Sequence, residues 1–145
     1  MTKFNFKLER VLNYKQTMEN YKKNQFGLVQ QKLNKEETIL NEFNEYKKMI
    51  VNEKSGVDEI KAGFLDMYNT YINDLNHKIK KQQERVNQTK VELEKAKDEM
   101  IDAVKEKKMF EKLKENEFEK FNYELIKEEE KLNDTIVSYR ATTQQ

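Results

Sequence analysis

The fold is decided by the stretch Asn52-Glu53-Lys54-Ser55-Gly56-Val57-Asp58, where the sequence carries signals both to end one helix and to begin another. Gly56 can adopt the left-handed conformation that closes a helix. Ser55 and Asp58 resemble the capping box that opens one. The 145 residues contain no proline, so no other position forces a break. We therefore expect helix one over about 4–54, a turn over about 55–63 and helix two over about 64–139.

Two apolar stripes flank this turn, and both repeat every three or four residues. The first seam is Phe4, Leu8, Val11, Lys15, Met18, Lys22, Phe26, Val29, Leu33, Glu36, Leu40, Phe43, Lys47 and Ile50. The second seam is Ile72, Leu75, Ile79, Gln82, Val86, Thr89, Leu93, Ala96, Met100, Ala103, Lys107 and Phe110. A mean step of about 3.5 residues is typical of a coiled coil, in which polar seam residues weaken packing but fix the register. The sequence predicts one all-α domain over 1–145, with two long helices in an antiparallel coiled-coil hairpin.

The two predicted helices are unequal in length. If the turn centres near residue 59, residue i faces roughly residue 118−i, and the first helix ends opposite about residue 115. The sequence predicts a 4-4 step from Lys114 to Phe118, after which the apolar stripe continues. Its members there are Phe118, Phe121, Leu125, Leu132 and Tyr139. Because a lone amphipathic helix gains most of its stability from packing, this stripe predicts dimerisation or a docked partner, the alternative being a frayed end.

Composition excludes several classes of protein. The chain has 28 basic and 27 acidic residues, no cysteine and a mean hydropathy of −1.09. We therefore expect an intracellular, soluble protein without a signal peptide, membrane insertion, thiolate metal site or cofactor. His77 is expected at the surface, and no pair of residues suggests catalysis, so an enzyme is not expected. Nucleic acid is not expected either, because residues 115–134 carry eight acids against three bases and would repel phosphate.

Three motifs resemble, in order and spacing, the flagellar type III export protein FliJ family. The first is Phe4-Asn5-Phe6-Lys7-Leu8-Glu9-Arg10-Val11-Leu12, followed by Lys15 and Glu19. The second is Tyr68-Asn69-Thr70-Tyr71-Ile72-Asn73-Asp74-Leu75, followed by Ile79 and Gln82-Gln83-Glu84-Arg85-Val86, and the third is Phe110-Glu111-Lys112-Leu113-Lys114-Glu115. Near the C-terminus this family usually carries an adjacent Asp-Glu pair. This chain has Asn133-Asp134 there and lacks one carboxylate.

The resemblance implies a noncatalytic stalk in flagellar protein export. FliJ-like proteins are similar in shape to the central stalk of rotary ATPases and insert both termini into the hexameric export ATPase. The resemblance also implies contact with the cytoplasmic domain of the export gate, escort of export chaperones, and a cytoplasmic location at the inner face of the membrane at the flagellar base. The implied ATPase-ring contacts are Lys7, Arg10, Val11, Phe121, Leu125, Glu128, Leu132 and Asp134, and the implied gate contacts are Tyr71, Leu75, Lys78 and Gln82.

Other interpretations remain open from the residues alone. The equivalent stalk of a virulence type III secretion system would share the same helical physics. A self-associating scaffold would use the same uncovered stripe. A holdase chaperone of the prefoldin kind would need alternating strands between its helices, and Val57 to Gly63 offers only one short mixed segment. For each implied contact residue with an apolar side chain, ordinary seam packing is the competing explanation.

Overall fold

A computed structural model describes residues 2–56 and 62–143 of the chain. Helix α1 spans Glu9–Ser55 and helix α2 spans Ala62–Thr143, past the expected end near 139. No strand occurs within the described ranges. The expectation of an all-helical protein whose two long helices pack against each other is confirmed.

The start of α1 differs from the expectation, since the helix begins at Glu9 rather than near residue 4. Residues 2–6 are not helical, and the Glu9 N–H donates to the Phe6 carbonyl oxygen at 3.2 Å. Alternate residues of an extended segment point to the same side, which suits the pattern Phe4-Asn5-Phe6. Phe6 is buried and Phe4 half-buried. Burying two aromatic rings in this way competes with helix formation at this end.

The end of α1 also differs from the expectation, in the conformation of Gly56 and in the role of Ser55. Gly56 does not adopt a positive φ. Its N–H donates to the Asn52 carbonyl oxygen at 3.0 Å, in the helical i to i−4 pattern. Ser55 is the last residue of α1, and its hydroxyl donates to the same carbonyl oxygen at 3.0 Å, so it closes this helix. Asp58 and most of the predicted turn lie outside the described residues.

Burial follows the two seams. Every member of both seams is buried or half-buried except Leu8, which precedes the first residue of α1. Val86 is the most deeply buried large side chain among the described residues, with 2% of its surface exposed. Two polar members of the second seam, Gln82 and Thr89, are buried as well. The Thr89 hydroxyl donates to the Arg85 carbonyl oxygen at 2.8 Å, which satisfies it within its own helix.

The contacts of the chain divide it into two compact units. One unit is Met1–Asn20 with Asp102–Gln145, and the other is Tyr21–Ile101. In the first unit Glu9 pairs with Lys114, and Lys15 pairs with Glu106. Partner numbers fall along α2 as they rise along α1, so the two helices are antiparallel in this unit.

The second unit has the same antiparallel arrangement. Lys22 pairs with Glu99 near one of its ends, and the rings of Tyr46 and Tyr71 meet near the other. The core of this unit lies between the helices along the two seams. It includes Leu33 among its buried side chains.

Candidate functional site

The N-terminal segment packs onto α2 through aromatic rings. The Phe4 ring centroid lies 5.2 Å from that of Phe118, in an edge-to-face arrangement, and 5.6 Å from that of Phe121. This arrangement corrects the expectation that Phe118 and Phe121 have no cover within the chain. These two residues are covered because the start of the chain is not helical, and a non-helical segment reaches further along α2 per residue than a helix does.

The continuation of α2 beyond Leu125 is exposed at every residue from 126 to 143. Leu132, Ile136 and Tyr139 follow Leu125 at intervals of seven, four and three residues, which places all four on one face of the helix. This is the face that lies against the N-terminal segment earlier in the helix, at Phe121. We call Leu132, Ile136 and Tyr139 the terminal stripe. The expectation of an uncovered apolar stripe therefore applies to this shorter part of α2.

The implied ring contacts at the start of the chain occupy different environments. Lys7 lines a shallow surface groove with Phe121, and the groove also carries the lysines Lys3 and Lys120. Arg10 is exposed. Val11 is half-buried in the first seam, so only part of its side chain is accessible to a partner.

The implied ring contacts at the end of the chain do not share one face. Leu125 is half-buried, whereas Glu128, Leu132 and Asp134 are exposed. Leu132 lies on the face of Leu125, and Glu128 lies about 60° from it at 100° per residue. Asp134 is nine residues from Leu125, a rotation of about 180°, so it lies on the opposite side of the helix. One flat partner surface cannot contact Leu125 and Asp134 together.

The implied gate contacts divide into two exposed and two buried residues. Tyr71 and Lys78 are exposed, and both line a surface cavity between the helices of the second unit. Leu75 and Gln82 are buried in the second seam. The Gln82 side-chain amide donates to the Glu36 carbonyl oxygen at 2.9 Å and also to the Glu36 carboxylate. A partner at this face would meet Tyr71 and Lys78 directly.

Tyr46 belongs to this surface and was missed by the motif comparison. Its hydroxyl lies 2.9 Å from that of Tyr71, and the two rings meet nearly edge to face. The hydrogen bond with Tyr71 raises the pKa of Tyr46 above its ordinary value of 10.0. The expected register places residue 46 opposite residue 72. Setting the two seams against each other would therefore have placed Tyr46 beside Tyr71, although Tyr46 lies in none of the three motifs. The same cavity is lined by Phe43, Asp74 and His77.

Polar seam residues pair across the two helices at four places. The contacts are Lys15 to Glu106 at 2.8 Å, Lys22 to Glu99 at 3.0 Å and Lys107 to Glu19 at 2.7 Å, in addition to Gln82 with Glu36. The Lys107–Glu19 pair is the most enclosed of these ion pairs, with 16% and 3% of its two side chains exposed. The hydrogen bond to Glu19 raises the pKa of Lys107 above its ordinary value. Such pairs make particular registers more favourable than others.

The described residues provide no arrangement for metal chemistry, since no three His, Cys, Asp or Glu side chains converge in 2–56 or 62–143. Neither α1 nor α2, as described, has a stretch apolar enough to cross a bilayer. The features that remain are surfaces: the terminal stripe, the Tyr46–Tyr71 cavity and the groove beside Phe121.

A family model described as "Flagellar FliJ protein" matches residues 4–145. Comparisons with curated proteins and with solved structures give no match.

Proposed function

Since the chain belongs to the FliJ family of flagellar proteins, we propose that it is a noncatalytic stalk of the flagellar protein export apparatus. In this role its antiparallel coiled-coil hairpin, with the longer C-terminal helix, binds the hexameric export ATPase and couples it to the cytoplasmic domain of the export gate. It also escorts export chaperones. We propose a cytoplasmic location at the inner face of the membrane, at the flagellar base.

The terminal stripe carries this proposal. Leu132, Ile136 and Tyr139 form an exposed apolar row on a helix that has no neighbour within the described chain. An exposed apolar row on a charged helix is a typical site for a protein partner. A hexameric ring with a central channel can surround such a helix on all sides. It would then also contact the outlying Glu128 and Asp134, which no flat partner can contact together with Leu125.

The test of ring binding uses the full chain and a purified cognate export ATPase under hexamer-forming conditions. We expect Leu132→Glu with Ile136→Glu to weaken binding at least about tenfold, because two apolar anchors are replaced by charges. The same variant should lose stimulation of ATPase activity. The matched control is Leu28→Glu with Val91→Glu, which makes the same chemical change at two exposed apolar residues far along the chain from the terminal stripe and should retain binding.

Two outcomes of this test contradict the proposal. Unchanged binding by Leu132→Glu with Ile136→Glu would exclude the terminal stripe from the ring contact. Failure of the unaltered chain either to bind or to stimulate the ATPase would remove the proposed stalk function itself.

The proposed gate contact is tested separately at the exposed residues of the tyrosine cavity. Tyr71→Ala with Lys78→Ala should abolish binding of the isolated cytoplasmic domain of the export gate while leaving ATPase binding intact. Tyr123→Ala with Lys127→Ala is a matched control, because it removes the same two kinds of exposed side chain elsewhere on α2, where Lys127 lies 4.7 Å from the Tyr123 ring centroid. Equal loss of gate binding by both variants would contradict a specific contact at the cavity.

A self-associating scaffold is the second candidate, because the same terminal stripe can pair with another copy. Sedimentation velocity of the purified chain separates the two functions. The stalk should sediment as a monomer and the scaffold as a dimer or larger species. The virulence-type stalk is distinguished by the genes that neighbour the coding sequence.

A further inference from the structure

One short segment of α2 carries five lysines that divide into two groups. Lys107 and Lys114 are seven residues apart and turn toward α1, where they pair with Glu19 and Glu9. The other three are Lys105, Lys108 and Lys112. They are exposed, and none of them makes an ion pair within the described residues.

Two exposed apolar side chains lie among these outward lysines. Met109 exposes 69% of its surface and Leu113 exposes 38%. The three lysines, Met109 and Leu113 line one shallow surface together with Asn116. We call this surface the lysine patch. Its lysines follow the spacing i, i+3 and i+7, so its charges extend over about 10 Å along one side of the helix.

The nearest carboxylates on α2 form no ion pair with the lysines of the patch within the described residues. Glu106 is bound to Lys15 of α1, and Glu111 lies 3.6 Å from the inward Lys107. Asp102 and Glu115 lie one turn before Lys105 and one turn after Lys112, and neither makes an ion pair within the described residues. The patch thus presents three lysines around an apolar centre, with one carboxylate at each end. The matching ligand is negatively charged with apolar residues between its charges.

We propose that the lysine patch binds an acidic amphipathic helix of another protein. That helix would carry carboxylates at i, i+3 or i+4, and i+7, with an apolar residue between them that packs on Met109 and Leu113. Charge complementarity and the spacing of the lysines select this ligand. The inference does not depend on the proposed stalk function, because the patch includes no residue of the terminal stripe or of the tyrosine cavity.

A lipid surface fits the observations less well than a helix does. Anionic bilayers attract clusters of about four to eight basic residues, and the patch has three. Residues 115–134, which follow it directly, carry eight acids against three bases and would be repelled by the bilayer. A helix of about three turns covers the patch and reaches only the first residues of this acidic stretch.

The test uses the full chain and a fluorescein-labelled helical peptide of about 18 residues, with Glu at i, i+3 and i+7 and Leu between them. Binding is measured by fluorescence anisotropy at low and physiological salt. We expect Lys105→Glu, Lys108→Glu and Lys112→Glu together to weaken binding at least about tenfold. We expect Met109→Ser alone to weaken it about threefold, because only part of the apolar contact is lost.

The matched control is Lys90→Glu, Lys95→Glu and Lys97→Glu, which reverses three exposed lysines elsewhere on α2. This control should retain binding within about twofold, since long-range charge alone is largely screened at physiological salt. Equal losses in the two triple variants would overturn the proposal, because binding would then follow net charge. Equal binding of a peptide with Gln in place of Glu would overturn it as well.

Two further measurements separate the remaining ligands. Vesicles containing about 30% phosphatidylglycerol serve as the lipid probe, and sedimentation of the unaltered chain detects a second copy. Vesicle binding that depends on the patch, without peptide binding, would overturn the proposal in favour of a membrane surface. Self-association lost in the patch variant but kept in the control would overturn it in favour of a second copy.

Discussion

Phe4 and Phe118 meet edge to face, with ring centroids 5.2 Å apart and ring planes inclined at 73°. The contact joins a non-helical segment to the later part of α2. It is the reason why the apolar face of α2 is covered as far as Phe121, although α1 begins only at Glu9.

We expect Phe4→Ala to destabilise the N-terminal segment by about 1–2 kcal/mol, from the lost edge contact and part of the ring's burial. Because the segment is held locally, hydrogen exchange should accelerate around residues 9–12 and 114–121 and remain unchanged in the unit Tyr21–Ile101. The control is Phe64→Ala, which truncates an exposed phenylalanine. Unchanged exchange in Phe4→Ala would show that the ring contact has no stabilising effect.

Val86 and Val91 provide a matched pair for the packing of the second seam. Val86 exposes 2% of its surface and Val91 exposes 71%. We expect Val86→Ala to lower the free energy of unfolding by about 2 kcal/mol, from the buried methyl groups and the cavity left behind. Val91→Ala should change it by less than about 0.5 kcal/mol. Urea unfolding measures both, and similar values for the two variants would contradict the assignment of the seam.

The Lys107–Glu19 pair predicts a loss of stability at alkaline pH. Because folding raises the pKa of Lys107, the pair stabilises the fold fully below the ordinary lysine value of 10.5, and this stabilisation is lost as pH rises through the raised value. Tyr46 acts in the same direction above 10.0, since its neutral phenol is favoured in the folded state. Thermal unfolding between pH 8 and 12 should show a melting temperature that falls most steeply above about pH 10.

Removing one member of this ion pair should cost more than removing both. Lys107→Met leaves the Glu19 carboxylate in its enclosed position without this lysine, whereas Glu19→Leu with Lys107→Met replaces both charges by apolar groups. We expect the single variant to have the lower melting temperature at pH 7. The reverse order would mean that the lysine contributes little to holding the carboxylate.

Tyr71→Phe should lower the pKa of Tyr46 toward its ordinary value, because the variant lacks the hydroxyl that hydrogen-bonds to Tyr46. Carbon-13 NMR of labelled tyrosine ring carbons follows this titration residue by residue. Tyr123→Phe removes an exposed tyrosine and should leave the titration of Tyr46 unchanged. An unaltered Tyr46 titration in Tyr71→Phe would contradict the hydrogen bond.

The periodic apolar residues were sufficient to predict the two helices and the side chains that pack between them. A repeat of three and four residues fixes one face of a helix, and that face is buried or half-buried along the two seams. The exception, Leu8, fits the same period but precedes α1. Periodicity cannot reveal where a helix begins if an extended segment can bury its aromatic residues equally well.

The later part of α2 shows where the period alone was insufficient. The predicted 4-4 step from Lys114 to Phe118 would place Phe118 on the buried face. The structure instead half-buries Lys114, Glu117 and Phe121, and Phe118 keeps 46% of its surface exposed beside Phe4. The position of the N-terminal segment therefore decides which residues of α2 are covered. The surfaces for partners were only partly predictable, because Tyr46 becomes visible only when the two seams are set opposite each other.

Because nothing covers residues 126–143 within the described chain, their helicity depends on a helix–coil equilibrium. A partner that binds the helical form must then supply the free energy of ordering this segment. Its measured affinity is reduced by the fraction of chains that are not helical there. Substitutions that raise helix propensity on the side of the helix away from the terminal stripe, such as Ser138→Ala, should therefore tighten binding without adding a contact.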